Sequence, residues 1–66
     1  MKICVNGEMR EFDGLANLAG LIEQLNFQPL RIAVERNKLL VPRARYAQTP
    51  LSEGDVIEIV TLVGGG

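Results

Sequence analysis

The sequence predicts one domain of the α+β class, in which a mixed sheet of four to five strands packs on one main helix. Several segments alternate apolar and polar residues, as strands do, and one segment places its apolar residues at helical spacing. The chain of 66 residues is the size of a single small domain with one economical core. Nearly half of the residues are apolar, which argues against disorder.

The first predicted element is a β-hairpin. Ile3 and Val5 alternate with their neighbours, and Asn6-Gly7 is the residue pair best suited to a type I′ turn. Residues 9–12 can then return as the second strand.

A helix is predicted next. Asn17 stands where a side chain can accept a hydrogen bond from the unpaired amide groups of a first helical turn. Gly20 lies inside this helix, where glycine costs about 1 kcal/mol relative to alanine, and we interpret it as a point of close backbone packing. The apolar stripe of the helix consists of Leu18, Leu21, Ile22 and Leu25.

The second half of the chain predicts three more strands. Residues 31–35 alternate, residues 36–38 form a turn, and residues 39–41 form a short strand that Pro42 stops, because proline cannot donate to a β-ladder. A brief helical turn is expected over residues 44–48. The turn signal at residues 52–55 is followed at 56–63 by the strand richest in β-branched residues.

The order of these elements predicts the topology. If the first and last strands pair in parallel, the sheet is mixed and the last strand is central, which fits its length and apolar character. This order matches the β-grasp fold of ubiquitin. The core predicted between helix and sheet consists of Ile3, Val5, Leu18, Leu21, Ile22, Leu25, Ile32, Val34, Ile57 and Ile59.

The residue types present exclude several kinds of site. The chain has no histidine and a single cysteine, Cys4, so the usual zinc ligand sets and the histidine-dependent catalytic pairs cannot be built, and no metal site is expected. Cys4 is interpreted as a packing residue without a catalytic role. The sequence shows no signal peptide and no membrane span, and a cytoplasmic location is expected.

Basic residues concentrate in the middle of the chain and suggest a nucleic-acid surface. The net charge of −1 and the lack of interleaved aromatic residues argue against that function, and a solvated surface or a contact with an acidic partner is the preferred interpretation. The cluster consists of Arg31, Arg36, Lys38, Arg43 and Arg45.

Three glycines, Gly64, Gly65 and Gly66, follow the last predicted strand. Residues 1–63 are therefore predicted to form the folded domain and residues 64–66 a flexible arm, thin enough to enter a narrow channel of a partner. The carboxylate of a terminal Gly66 could attack the α-phosphate of a nucleotide to give an acyl-adenylate. Taken alone, a glycine run is more often a frayed end.

The sequence as a whole resembles the ThiS family, the ubiquitin-like sulfur carriers of thiamine biosynthesis. The resemblance extends over nearly all of the chain, and its parts are specific only in combination. They are Val34-Glu35-Arg36-Asn37, Val41-Pro42, Arg45-Tyr46, Gly54-Asp55 before an apolar strand, and Val63-Gly64-Gly65-Gly66.

The resemblance implies a carrier that is not itself an enzyme. A ubiquitin-activating-like adenylyltransferase would use MgATP to adenylate Gly66, and sulfur from a donor such as a cysteine desulfurase persulfide would then replace AMP. The resulting thiocarboxylate would be delivered to thiazole synthase. No permanently bound cofactor is implied.

Val60 and Leu62 are the predicted docking residues for these partners. If Ile57 and Ile59 face the helix, Val60 and Leu62 lie on the open face of the sheet, next to the glycines. The competing interpretation is that they pack against the loop of Tyr46.

Three other functions fit parts of the sequence. The small subunit of molybdopterin synthase shares the fold and the di-glycine but is usually longer as a family. A ubiquitin-like modifier joined to lysine is the second alternative, and an interaction module with incidental glycines is the third.

Overall fold

A computed structural model of the chain describes residues 1–62 and contains the predicted elements in the predicted order. The strands are β1 (Lys2–Val5), β2 (Glu8–Glu11), β3 (Ile32–Arg36), β4 (Leu39–Val41) and β5 (Val56–Thr61), the main helix is α1 (Leu18–Gln24), and two 3-10 helices span Pro29–Arg31 and Arg43–Gln48. β5 ends at Thr61 and not at the predicted residue 63. Residues 63–66, which include the predicted glycine arm, lie outside the described residues.

All five strands form one mixed sheet with the order β2-β1-β5-β3-β4. β1 and β5 are parallel, whereas the other neighbouring strands are antiparallel. The prediction that the last strand is central and pairs in parallel with the first is confirmed. β4 is an edge strand, as Pro42 indicated.

Both hairpin turns have positive φ at their two central residues. The values are 51° and 82° at Asn6 and Gly7, and 52° and 71° at Asn37 and Lys38. Such turns match the right-handed twist of the flanking strands, and asparagine tolerates this conformation better than most residues that carry a side chain. The predicted turns are therefore confirmed, with a lysine in the second of them.

The buried side chains lie between α1 and the sheet. Nine of the ten predicted core residues are buried, and Leu25 at the end of α1 is half-buried against them. Three further core residues were not predicted. The first ended the predicted second strand without being assigned to the core, and the other two lie outside the main helix and the strands, where no apolar period marks them. In chain order, the three are Phe12, Tyr46 and Leu51.

The predicted cap of α1 is present, but the role predicted for Gly20 inside the helix is not. The Oδ1 atom of Asn17 accepts a hydrogen bond of 2.9 Å from the backbone N–H of Gly20, which caps the first turn. The interpretation of Gly20 as a close-packing position is wrong. A Cβ atom at Gly20 would meet Asn17 Oδ1 at 3.7 Å and Leu15 Cδ2 at 3.9 Å, which are ordinary van der Waals distances.

Replacing Gly20 with alanine is therefore expected to stabilise the protein by about 0.5–1 kcal/mol, because the helix gains a better helix former without a clash. Urea denaturation of both proteins measures the difference. Gly54→Ala is the matched control, since Gly54 has a φ of +84° and alanine there should destabilise the fold. A lower midpoint for Gly20→Ala would contradict the analysis of the helix.

Candidate functional site

The side chains of β5 lie alternately on the two faces of the sheet. Ile57 and Ile59 are buried against the helix, and Val60, whose side chain is 59% exposed, lies on the face that the helix does not cover. Leu62, which follows at the same spacing, is 54% exposed. The predicted open-face position of both residues is confirmed. Burial of these residues against the Tyr46 loop is not observed, because Val60 and Leu62 are both more than half exposed.

The end of β5 is held by hydrogen bonds from two other parts of the chain. The side-chain amide of Asn6 accepts from Ile59 N–H at 2.8 Å and donates to the Ile59 carbonyl at 3.2 Å. The N–H of Leu62 donates to the carbonyl of Arg31 at 2.8 Å. Leu62, the last described residue, therefore has a defined position beside β3.

A buried carboxylate, that of Asp55, joins the start of β5 to the β3–β4 turn. It accepts hydrogen bonds from Arg36 Nε at 2.9 Å, from Asn37 Nδ2 at 3.1 Å and from the N–H of Ser52 at 2.8 Å. The backbone of Asn37 also donates to the carbonyl of Val56 at 2.7 Å, and its side chain accepts from Val56 N–H at 2.9 Å. This network was not predicted, although three of its members stand in the motifs Val34-Glu35-Arg36-Asn37 and Gly54-Asp55.

Two opposing effects set the pKa of Asp55. Burial alone would raise the pKa, but the hydrogen bonds from Ser52, Asn37 and Arg36, together with the charge of Arg36, outweigh burial and hold the pKa below its usual value. The carboxylate is therefore charged at neutral pH and links the start of β5 to the β3–β4 turn.

The open face also carries an acidic groove, lined by Ala33, Glu35, Leu40, Glu58 and Val60, with a volume of about 160 Å³. In the register of β3 and β5, Ala33 lies opposite Val60 and Glu35 lies opposite Glu58. Val60, which the sequence predicts to be a docking residue, is thus one wall of a groove that contains two carboxylates.

The single cysteine and the acidic residues of the described chain do not form a metal site. Cys4 is a half-buried free thiol that lies opposite Met9 in the β1–β2 register. Among residues 1–62, no three histidine, cysteine or acidic side chains cluster as metal ligands would. Within the same residues, none of the helices has the length and apolar character needed to cross a bilayer. Gly64, Gly65 and Gly66 lie outside the described residues.

Comparison with known proteins identifies the family. The sequence model of the ThiS family matches residues 3–66, which is nearly the whole chain. The chain belongs to the ThiS family. A crystal structure of the thiamine biosynthesis protein ThiS from Geobacter metallireducens superposes with a TM-score of 0.85, at 30% identity and over 100% of both chains. The fold is therefore the ubiquitin-like β-grasp of ThiS proteins, as predicted.

Two relatives of this ThiS-family chain have informative names. The sulfur carrier protein ThiS of Bacillus subtilis is 51% identical over 35 residues, which is 53% of each chain. A thiazole synthase of Paramagnetospirillum magneticum is 41% identical over 66 residues. The chain spans 20% of the length of that thiazole synthase.

The Asp55 network predicts how the stability of this ThiS-family protein depends on pH. The folded pKa of Asp55 is lowered, so its stabilisation is complete above the unfolded pKa of about 3.9 and is lost as the pH falls through the folded pKa. Asp55→Asn should lower the free energy of unfolding by about 1–3 kcal/mol at pH 7. Chemical denaturation between pH 2 and 7 measures this difference.

The difference between wild type and Asp55→Asn should shrink as the pH falls below about 4 towards the folded pKa of Asp55, because protonation then removes the carboxylate charge that the variant lacks at every pH. Glu8→Gln removes an exposed carboxylate and serves as the control, with little effect at either pH. A difference that keeps its full size at the lowest pH would show that the charge of Asp55 does not stabilise the fold.

Proposed function

We propose that the chain is the sulfur carrier of thiazole formation in thiamine biosynthesis and that Gly66 carries the sulfur. The observation that supports this most is the match to the ThiS family, which runs from the β-grasp domain through all three glycines. A relative named sulfur carrier protein ThiS supports the same activity.

The proposed chemistry takes place at the carboxylate of Gly66. A ubiquitin-activating-like adenylyltransferase binds MgATP, and the carboxylate attacks the α-phosphate with loss of pyrophosphate. The outer sulfur of a cysteine persulfide, such as that of a cysteine desulfurase, then attacks the acyl carbon and releases AMP, which leaves an acyl disulfide. A second thiol attacks the cysteine sulfur of this disulfide, forms a new disulfide with it and releases the thiocarboxylate of Gly66. The partners supply ATP, magnesium ion and catalysis, so the chain itself is a cosubstrate that is regenerated in each cycle.

Thiazole synthase is the proposed acceptor of the sulfur. In Paramagnetospirillum magneticum, a protein named thiazole synthase contains a stretch that is 41% identical to this whole chain. A sequence similar to this chain thus occurs in one polypeptide with that enzyme name, which supports the proposal that the carrier acts together with thiazole synthase. The cytoplasmic location stays a prediction.

The open face of β5 is the proposed contact with both enzymes. Val60 and Leu62 place exposed apolar surface within a few residues of Gly66, and burying such surface favours association. The hydrogen bonds at Ile59 and Leu62 fix this surface relative to the rest of the sheet.

Val60→Glu and Leu62→Glu are each expected to weaken binding to the adenylyltransferase or to thiazole synthase, because the new charge would lose its water in the contact. Thr61→Glu introduces the same charge between them at an exposed position and serves as the matched control. Calorimetric titration measures the affinities, and circular dichroism checks the fold. Unchanged affinity of both variants for both enzymes would place the interface elsewhere.

Deleting Gly66, or adding a residue after it, is expected to abolish thiocarboxylate formation without unfolding the domain. Deletion draws the carboxylate back by up to about 3.3–3.6 Å, whereas reacting atoms must approach within about 3–3.5 Å. The assay incubates the 66-residue chain with MgATP, the adenylyltransferase and a persulfide donor, and intact mass reports the exchange of one oxygen for sulfur.

The 66-residue chain with Glu8→Gln is the control, because it changes an exposed side chain and keeps the tail intact. Thermal unfolding should be nearly the same for all of these chains. Normal sulfur loading of the chain that lacks Gly66 would show that this residue is not the reacting site. If intact mass instead shows this chain joined to a lysine of a partner protein, and no thiocarboxylate, the result would support a ubiquitin-like protein modifier.

A further inference from the structure

The acidic groove contains a cross-strand pair of like charges. Glu35 on β3 and Glu58 on β5 are direct partners in the antiparallel register, and both are exposed on the open face. Side chains at such positions have Cβ atoms about 4.5–5.5 Å apart, and two like charges there destabilise a sheet. The free protein therefore retains a local repulsion on the same face as its docking residues.

No basic group of residues 1–62 forms an ion pair with either glutamate. The ion pairs of this part of the chain join Arg36 to Asp55 and the Met1 amine to Glu11. Arg36 precedes the β3–β4 turn, and its Nε atom is engaged by the buried carboxylate of Asp55. Both carboxylates of the acidic groove are therefore exposed to solvent, without an ion pair to any basic group of residues 1–62.

Apolar side chains surround the two carboxylates. Leu40 lies opposite Glu35 on β4, and Ala33 lies opposite Val60, so the groove has apolar walls at both ends. Leu40 and Val60 are 68% and 59% exposed. A long cationic side chain suits this surface, because its methylene stem can pack on the apolar walls while its charged head reaches the carboxylates.

We propose that the acidic groove binds an arginine side chain of a protein partner, placed among apolar residues that cover Val60. The planar guanidinium carries several donors and can bridge two neighbouring carboxylates, whereas a lysine offers one compact charge. The argument rests on charge complementarity and on the continuity of the groove with the proposed docking residues. It also rests on the proposed function, under which the partner is the adenylyltransferase or thiazole synthase.

The proposal requires two effects of opposite sign. In the free protein, neutralising the glutamate pair removes repulsion and raises the unfolding midpoint. In the complex, the same change removes charge-assisted hydrogen bonds and lowers affinity. A purely structural role for the two glutamates would not produce this combination.

The test uses the double variant Glu35→Gln and Glu58→Gln, which keeps the size of both side chains. Calorimetric titration against each purified enzyme should show binding to at least one of them weakened by roughly tenfold or more at low salt. Raising the salt concentration should weaken wild-type binding more steeply than that of the variant. Glu8→Gln is the control, because Glu8 is exposed on β2, away from the groove.

The outcomes separate this inference from the proposed function. If Val60→Glu weakens binding and the double glutamine variant binds both enzymes as wild type does, the arginine contact is overturned and the docking face stands. If the wild-type chain binds neither enzyme, both proposals are overturned. A double variant that is less stable than wild type when free would also contradict the proposed repulsion.

Discussion

The pairing of β5 between β1 and β3 is the constraint on which the structure depends. The hairpins β1–β2 and β3–β4 are neighbours in the sheet only through this strand. Two polar links reinforce the pairing: the Asn6 amide bonds the backbone of Ile59, and Asp55 binds the β3–β4 turn. Since Ile57 and Ile59 of the same strand are buried in the core, the loss of β5 would remove part of the core as well as the connection between the hairpins.

This constraint also positions the candidate site. The two-residue period of a strand places alternate side chains on opposite faces, so one segment contributes Ile57 and Ile59 to the core and Val60 to the open face. The proposed docking surface is therefore built on the same strand that contributes Ile57 and Ile59 to the core. The proposed reacting residue, Gly66, follows four residues after Leu62, which keeps the contact and the chemistry close along the chain.

The parts that could be predicted from the sequence are those with a period or a turn signature. Alternation placed the strands, helical spacing placed α1, and Asn6-Gly7 placed the first turn. Tyr46 lies in a 3-10 helix, where no simple period reveals which side is buried. Gly20 was misinterpreted because the low helix propensity of glycine does not show whether a Cβ atom would have space at that position. The Asp55 network and the Glu35–Glu58 register depend on contacts between distant segments, which one sequence does not display.

The opposed glutamates also bear on how copies of this protein meet one another. A sheet face with exposed Leu40, Val60 and Leu62 offers apolar surface for self-association, and a net charge of −1 provides little general repulsion. Two copies joined through this face by a twofold axis near the groove would bring four carboxylates together in a contact that excludes water. Glu35 and Glu58 thus oppose homodimers through the open face and leave its apolar surface accessible to a partner of complementary charge.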